Sequence, residues 1–248
     1  MKKKVVIILL SLLIFFLLNS SIIFFTAYLR PLPEPMFPEV LNHTKVNGTL
    51  VELNEPQVTK MVKFEEISSN FTKAVVAIED HRFYEHNGVD IIGIFRAFLS
   101  NVRSGDIVGS GGSTITQQFA RNAYPFLGQE KLLSRKIAEA AVAIRLERVY
   151  SKEEILEFYC NIIYVGHGLY GIESAANYYF GKTASELSLN EAATIAGLLK
   201  SPGYYSPYVS MSTAIKNRNT VLRRMSDLGE ITSEVASEES EKEINLAR

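Results

Sequence analysis

The stretch from Val5 to Ala27 is apolar apart from Ser11, Asn19, Ser20, Ser21 and Thr26. At about 1.5 Å of rise per helical residue, a little over twenty residues cover the roughly 30 Å hydrocarbon core of a bilayer. Met1-Lys2-Lys3-Lys4 precedes the stretch and only Arg30 follows it closely. That bias places the N-terminus in the cytoplasm and everything after the span outside it. A cleaved signal peptide is the competing reading. The apolar stretch is long for one, and no small-x-small cleavage site follows, so an uncleaved anchor is expected.

What remains is enough for one domain of ordinary size, or at most two small ones, in a chain of 248 residues. Hydrophobic residues make up 47% and charged residues 21%, which predicts a folded core. A net charge of -1 gives no argument for nucleic acid as a partner. The single cysteine, Cys160, rules out an intramolecular disulfide framework and a Cys-rich zinc site. Set in a helical pattern, it reads as a small buried apolar residue.

Pro31-Leu32-Pro33-Glu34-Pro35 with Pro38 predicts a stiff, extended connector. Val51 to Phe64 alternates like a strand, is broken by Pro56, and predicts a short hairpin at best. From Ser69 the patterns are helical. Phe71, Val75 and Ile78 share one helix face, and Ile91, Ile94, Phe95, Phe98 and Leu99 share the face of a second. Gly109-Ser110-Gly111-Gly112 is a loop, and Ser113/Thr114 cap a helix through Asn122. Lys131 to Tyr150 is long and Ala-rich. Capping boxes at Ser151-Lys152-Glu153-Glu154 and Ser188-Leu189-Asn190-Glu191 open two more helices. Ser201-Pro202-Gly203 breaks the chain, Thr213 to Leu228 is the last core helix, and the tail from Glu230 is acidic and weakly patterned. The fold class is mainly α. The division is a cytoplasmic tail (1–4), an anchor (5–28), a connector (29–65), a catalytic domain (66–228) and an acidic tail (229–248).

Three segments carry chemistry. Glu79 follows the apolar Val75-Val76-Ala77-Ile78, where lost hydration raises a carboxyl pKa and improves a general base. An ordinary surface acid at a helix end is the bland alternative. Asp80 reads as a hydrogen-bonding partner that fixes the turn, and His86-Asn87-Gly88 closes it. Ser113 to Gln118 presents hydroxyls, amides and free N–H groups at a helix start, which suits an anion. A plain N-cap is the competing reading, although Thr116-Gln117-Gln118 would be an uneconomical way to fill a core. Lys131, Arg135 and Glu139, spaced i, i+4, i+8, form one stripe that could bind a diphosphate, form a solvated salt bridge, or hold magnesium with substrate phosphates. His81, His86 and His167 match no zinc motif, and no Ser-His-Asp order or nucleophile elbow is present.

Glu79-Asp80-His81-Arg82-Phe83-Tyr84-Glu85-His86, Gly111-Gly112-Ser113-Thr114-Ile115-Thr116-Gln117-Gln118 and Arg135-Lys136-Ile137-Ala138-Glu139 occur in that order. They are followed by Tyr150 to Glu157, Tyr159-Cys160-Asn161, Gly171 to Lys182, and Lys200-Ser201-Pro202 through Pro207. In these motifs, from about Lys73 to Met225, the chain resembles the peptidoglycan glycosyltransferases. These are polymerases found alone or as the first module of bifunctional penicillin-binding proteins. The resemblance implies a lysozyme-like, mainly α domain with a small membrane-associated lobe, for which Ile91 to Leu99 is the candidate. It implies polymerisation of lipid II into β-1,4 glycan strands with release of undecaprenyl diphosphate, at the outer face of the cytoplasmic membrane.

Carried over residue by residue, it makes Glu79 the base that deprotonates the acceptor 4-hydroxyl, and Glu139 the acid supporting the departing diphosphate or its Mg²⁺ or Mn²⁺. Asp80, Phe83, Ser113, Thr116, Gln117, Gln118, Arg121, Asn122, Lys131 and Arg135 become substrate-binding residues. The implied partners are lipid II, the growing glycan, membrane lipid and other cell-wall synthesis or division proteins. The chain departs from the usual pattern at Arg121 (commonly Lys), Lys131 (often Arg), Ala138 (Lys in some members) and Asn217-Arg218 (commonly Arg-Arg). Arg121 keeps the charge and can grip phosphate in bidentate fashion.

A monofunctional polymerase is favoured by length and by the lack of a Ser-x-x-Lys motif with its partners. A truncated bifunctional protein is a close variant, since the tail from Ile231 to Leu246 looks like the start of a linker. A glycan-cleaving hydrolase would need a protonated acid and no diphosphate site, against which Arg121, Lys131 and Arg135 argue. A non-catalytic scaffold has no use for both Glu79 and Glu139.

Overall fold

The structure, a computed structural model, describes the backbone of residues 2–32, 41–46, 49–57, 60–96, 112–128 and 132–247. Side chains are described at residues 11, 14–32, 60–96, 112–128 and 132–247. Pro33 to Pro38 of the expected connector, Phe98, Leu99, the Gly109-Ser110-Gly111 loop and Lys131 lie outside the described residues.

Helix α1, Lys2–Leu29, takes in the whole N-terminal apolar stretch. Among the described residues no helix is long and apolar enough to cross a membrane. The side chains of residues 2–10, 12 and 13, which carry much of that stretch, are outside the description. Next, β1 (Leu41–Val46) and β2 (Thr49–Gln57) pair antiparallel, with Val46 opposite Thr49 and Thr44 opposite Val51. The hairpin therefore begins ten residues before the expected strand character. Asn47-Gly48 in the sequence is a hairpin signal that apolar alternation alone passes over.

Helix α2 (Ser69–Glu79) buries Phe71, Ala74, Val75 and Ala77 on one face. It stops at Asp80, whose backbone leaves helical geometry (φ -157°, ψ 71°) while its N–H still bonds the Val76 carbonyl at 3.0 Å. A 3-10 turn at Phe83–Glu85 leads to helix α3, described over residues 91–96. The apolar face expected there is open: Ile91 is 76% and Phe95 62% exposed. Helix α4 (Ile115–Ala123) is opened by a reciprocal box in which Thr114 caps the Gln117 N–H and Gln117 caps the Thr114 N–H. The short α5 (Pro125–Gly128) and the long α6 (Leu132–Val149) follow.

Ser151/Glu154 and Ser188/Glu191 form the expected capping boxes at α7 (Lys152–Ile162) and α9 (Leu189–Leu198). Between them lie a small hairpin, β3 (Tyr164–Gly166) with β4 (Leu169–Tyr170), and α8 (Ile172–Phe180). The expected break at Ser201-Pro202-Gly203 is present, since α9 ends at Leu198, and it also starts the next helix. Proline suits the first helical turn, and α10 runs Pro202–Tyr205. Helix α11 (Met211–Asp227) is not the last. The acidic tail forms α12 (Ser233–Glu241), capped by Thr232 and seated on α9 and α11 with Ala236 and Ile244 buried.

The fold is mainly helical, with α2, α9 and α11 packed on one another. Ala192, Ala193, Ala196 and Gly197 make this close approach feasible. A Cβ on Gly197 would come within 3.2–3.3 Å of Asn217 and Arg218 on α11. Gly88 is equally constrained: its φ is +90°, and a Cβ there would lie 2.6 Å from the Ala143 backbone on α6. That contact presses the loop after α2 against the helix that carries Glu139.

Candidate active site

Glu79 closes α2, half-buried, and Gln118 Nε2 donates to its Oε2 at 2.9 Å. Burial pushes its carboxyl above the ordinary range, with the nearby Asp80 adding to the effect. The Gln118 hydrogen bond and the cations Lys200 and Arg121 oppose the rise. Gln118 in turn accepts from the Tyr159 hydroxyl at 3.3 Å. Tyr159 is buried, and burial lifts its phenol well above the usual value, so it keeps its proton. The local result is a carboxylate with raised proton affinity at the end of an apolar helix.

Asp80 points the other way. Its Oδ2 accepts the Ile115 N–H at 3.0 Å, fastening the end of α2 to the start of α4. The same carboxylate meets His86 Nε2 at 3.0 Å. On the far side of His86, Nδ1 lies 4.0 Å from Glu147 Oε1. Glu147 accepts from Thr116 Oγ1 at 2.6 Å and pairs with Lys152 at 2.6 Å. Lys152 also donates to the His86 carbonyl and lies 4.3 Å from the centre of the Phe83 ring. Four stretches of chain, at residues 80–86, 115–116, 147 and 152, are thus joined in one polar set.

This set changes the picture of several expected substrate contacts. Asp80, Phe83, Thr116 and Gln117 are all buried. Thr116 is spent on Glu147, and Gln117 on the cap of α4. The polar atoms of Asp80, Thr116 and Gln117 named here hold the loop after α2 and the start of α4 together. Gln118, half-buried Arg121 and exposed Asn122 lie on the more open side of α4. The capping box gives α4 its start and thereby aims Gln118 at Glu79.

Glu139 is 0% exposed on α6, facing two cations. Arg135 Nε lies 3.4 Å from its Oε1 and Lys136 Nζ 2.9 Å from its Oε2. Lys136 also donates to Ser113 Oγ at 2.6 Å, linking the carboxylate to the segment before α4. The Arg135–Glu139 part of the expected stripe is therefore present, and Lys131 falls outside the description. Glu139 Oε1 and Arg135 Nε are buried without a hydrogen-bond partner. The two face each other at 3.4 Å, so the ion pair compensates their charges without hydrogen-bond geometry.

Sequence reading passed over Lys136, Tyr159, Glu147, Lys152 and Lys200 as site residues. Lys136 carried a signal, its i, i+3 spacing to Glu139. The others act through contacts between distant segments. Cys160 is buried and its thiol is pushed up by burial, as its apolar setting predicts.

The family model described as Transglycosylase matches residues 46–226. Penicillin-binding protein 1A of Escherichia coli (strain K12) is 49% identical over 184 residues, covering 74% of this chain and 21% of that protein. Penicillin-binding protein 1F of Bacillus subtilis (strain 168) is 41% identical over 195 residues, 79% of this chain and 26% of that protein. Penicillin-binding protein 1A from Haemophilus influenzae, a crystal structure, aligns with a TM-score of 0.48 and 24% identity, covering 82% of this chain and 20% of that one. The chain spans about a fifth to a quarter of the length of the curated relatives it matches.

Proposed function

The chain belongs to the transglycosylase family, and from that membership we propose that it is a peptidoglycan glycosyltransferase, polymerising lipid II into β-1,4-linked glycan with release of undecaprenyl diphosphate. The observation that carries the reading is a pair of carboxylates in unlike surroundings. Glu79 has its proton affinity raised by burial, and Glu139 is buried against Arg135 and Lys136.

In this reading Glu79 removes the proton from the acceptor 4-hydroxyl, as its raised pKa suits. The donor is α-linked to diphosphate and the product β-linked, so one displacement with inversion suffices. Diphosphate leaves once its charge is neutralised. Arg135, Lys136 and Arg121 can do that without the general acid a glycosidase needs. Gln118 orients Glu79. The Mg²⁺ or Mn²⁺ expected on Glu139 fits only as a companion of the diphosphate. Glu139 is a single carboxylate already facing two cations, and no group of three His, Cys, Asp or Glu side chains suited to a metal occurs among the described residues.

The same reading sets residues 5–28 as a single-pass anchor in the bacterial cytoplasmic membrane, with 66–228 as a lysozyme-like catalytic domain outside it. Its support is the apolar stretch, the Lys2-Lys3-Lys4 bias and the exposed apolar residues from Ile91 to Phe95. Incubating the protein separately with lipid II and with finished glycan tests the reaction. Polymer from the first and no cleavage of the second is expected. Cleavage of finished glycan without polymerisation would overturn the proposal in favour of a hydrolase.

A further inference from the structure

Three arginines gather where α1 ends. Arg145 and Arg148, one helical turn apart on α6, hold their guanidinium carbons 5.9 and 5.5 Å from the centre of the Tyr28 ring. Arg145 donates to the Arg30 carbonyl and Arg148 to the Tyr28 hydroxyl. The Arg30 guanidinium lies 4.2 Å from the centre of the Phe126 ring on α5. Among the described residues, none of the three has an acid within ion-pair distance. Aromatic faces attract cations but leave their net charge in place. Three clustered positive charges without an acid are complementary to an anion.

A shallow apolar groove of about 550 Å³ runs along α1, lined by Leu18, Ile22, Phe25 and Leu29, and it ends at Arg30. Of the three arginines, Arg30 is the one that lines this track. The cluster is also separate from the candidate active site. Arg148 follows Glu139 by two and a half turns of α6, which places it about 180° round the helix axis. A diphosphate bound at Arg135 and Lys136 would lie on the other side of that helix.

We infer that Arg30, Arg145 and Arg148, braced by Tyr28, bind the phosphate headgroup of an anionic glycerophospholipid whose acyl chain lies in the α1 groove. The inference rests on the proposal that α1 spans the membrane. Guanidinium groups match phosphate in bidentate fashion, and the apolar track favours a lipid over a soluble phosphate.

The test uses the full chain in phosphatidylcholine vesicles that contain either spin-labelled phosphatidylglycerol or spin-labelled phosphatidylcholine as probe. The motionally restricted fraction of each probe gives its relative association. The anionic probe should be favoured about fivefold, as expected for an arginine contact at a membrane surface. The preference should fall to near parity in Arg30→Gln/Arg148→Gln, both exposed positions, and persist in Arg30→Lys/Arg148→Lys. Equal restriction of the two probes by the unmodified protein, or an unchanged preference in the glutamine variant, overturns the inference. Loss of the preference on adding inorganic phosphate at constant ionic strength assigns the cluster to a soluble anion and overturns the lipid. Alkaline carbonate extraction separates the two layers of argument. Protein that stays with the vesicles and shows no preference sinks the lipid site alone, whereas protein released to the supernatant sinks the span and the site together.

Discussion

Gln118 joins Tyr159 to Glu79: it accepts from the Tyr159 hydroxyl at 3.3 Å and donates to Glu79 Oε2 at 2.9 Å. Because the buried phenol keeps its proton, it donates, and the amide must then turn its NH₂ toward the carboxylate. A residue with no charge of its own therefore sets the direction of the bond that most lowers the Glu79 pKa.

Gln118→Leu removes that bond and leaves burial and Asp80 unopposed by it, so the Glu79 pKa rises further. Hydrogen bonds to charged groups are worth about 1.5–3 kcal/mol. The acid limb of the polymerisation rate against pH should move to higher pH, and activity on the acid side should fall about tenfold or more. Tyr159→Phe, which only releases the amide, should move the limb the same way by less. A limb that stays in place in Gln118→Leu would remove Gln118 from the tuning of Glu79.

Glu79→Gln should separate activity from stability. The folded state holds the Glu79 proton to higher pH than the unfolded chain does, because burial disfavours the charge. The stability tied to that proton is complete below the unfolded carboxyl pKa and is lost as pH rises through the folded one. Above that window the charged group opposes folding, and glutamine has no charge to bury. At pH 7 the variant should melt at the same temperature or a few degrees higher (about 2–4 °C per kcal/mol), and the difference should vanish near pH 4. Polymerisation should drop at least about a hundredfold. Calorimetry across pH with a lipid II assay checks both, and undiminished turnover would reject Glu79 as the base.

What the sequence discloses here is local. Glu79 at the edge of an apolar helix, the boxes at Ser151/Glu154 and Ser188/Glu191, and the Arg135–Glu139 stripe each lie within a few residues, where helix geometry fixes the neighbours. The Asp80–His86–Glu147–Lys152 set was not legible, because it joins the loop after α2 to the end of α6 and the start of α7. For the same reason the intramolecular partners of Thr116 and Gln117 are not legible in the sequence. Those partners, Glu147 and the cap of α4, lie on a distant helix and in a side-chain bond that the residue types alone do not fix. Helix α12 was missed because its acidic sequence has little pattern of its own and depends on a residue of α11.

Lys136 should matter in two ways. It contacts Glu139 at 2.9 Å and Ser113 at 2.6 Å, so Lys136→Met leaves a fully buried carboxylate with Arg135 as its remaining cation. Stranding a buried charge is costly. Since Lys136 itself is partly exposed, a loss of about 1–3 kcal/mol is expected in chemical denaturation. Adding Glu139→Gln should restore much of that stability by removing the charge left behind, while polymerisation stays low and KM for lipid II stays raised. Recovery of activity along with stability would assign Lys136 a purely structural role.

Arg218 should govern whether the C-terminal segment stays attached. It is 1% exposed, and its guanidinium donates to the Ser240 and Lys242 carbonyls at 2.6 Å each and to Asn190 Oδ1 at 3.1 Å. Those carbonyls lie at the C-terminus of α12, where unpaired oxygens and the helix dipole favour a cation. Arg218→Met keeps much of the volume but leaves the carbonyls without their donor inside the protein. A loss of about 2–4 kcal/mol is expected, in line with other buried polar networks broken at one member. The loss should be local first: limited proteolysis should cut near Gly229, releasing the segment that carries α12, before the α2–α9–α11 core opens. Arg218→Lys, with one charged head in place of a planar fork, should recover only part of the protection. A variant that melts and resists proteolysis like the unmodified protein would show that the buried apolar contacts of Ala236 and Ile244 are enough to hold α12 without the guanidinium.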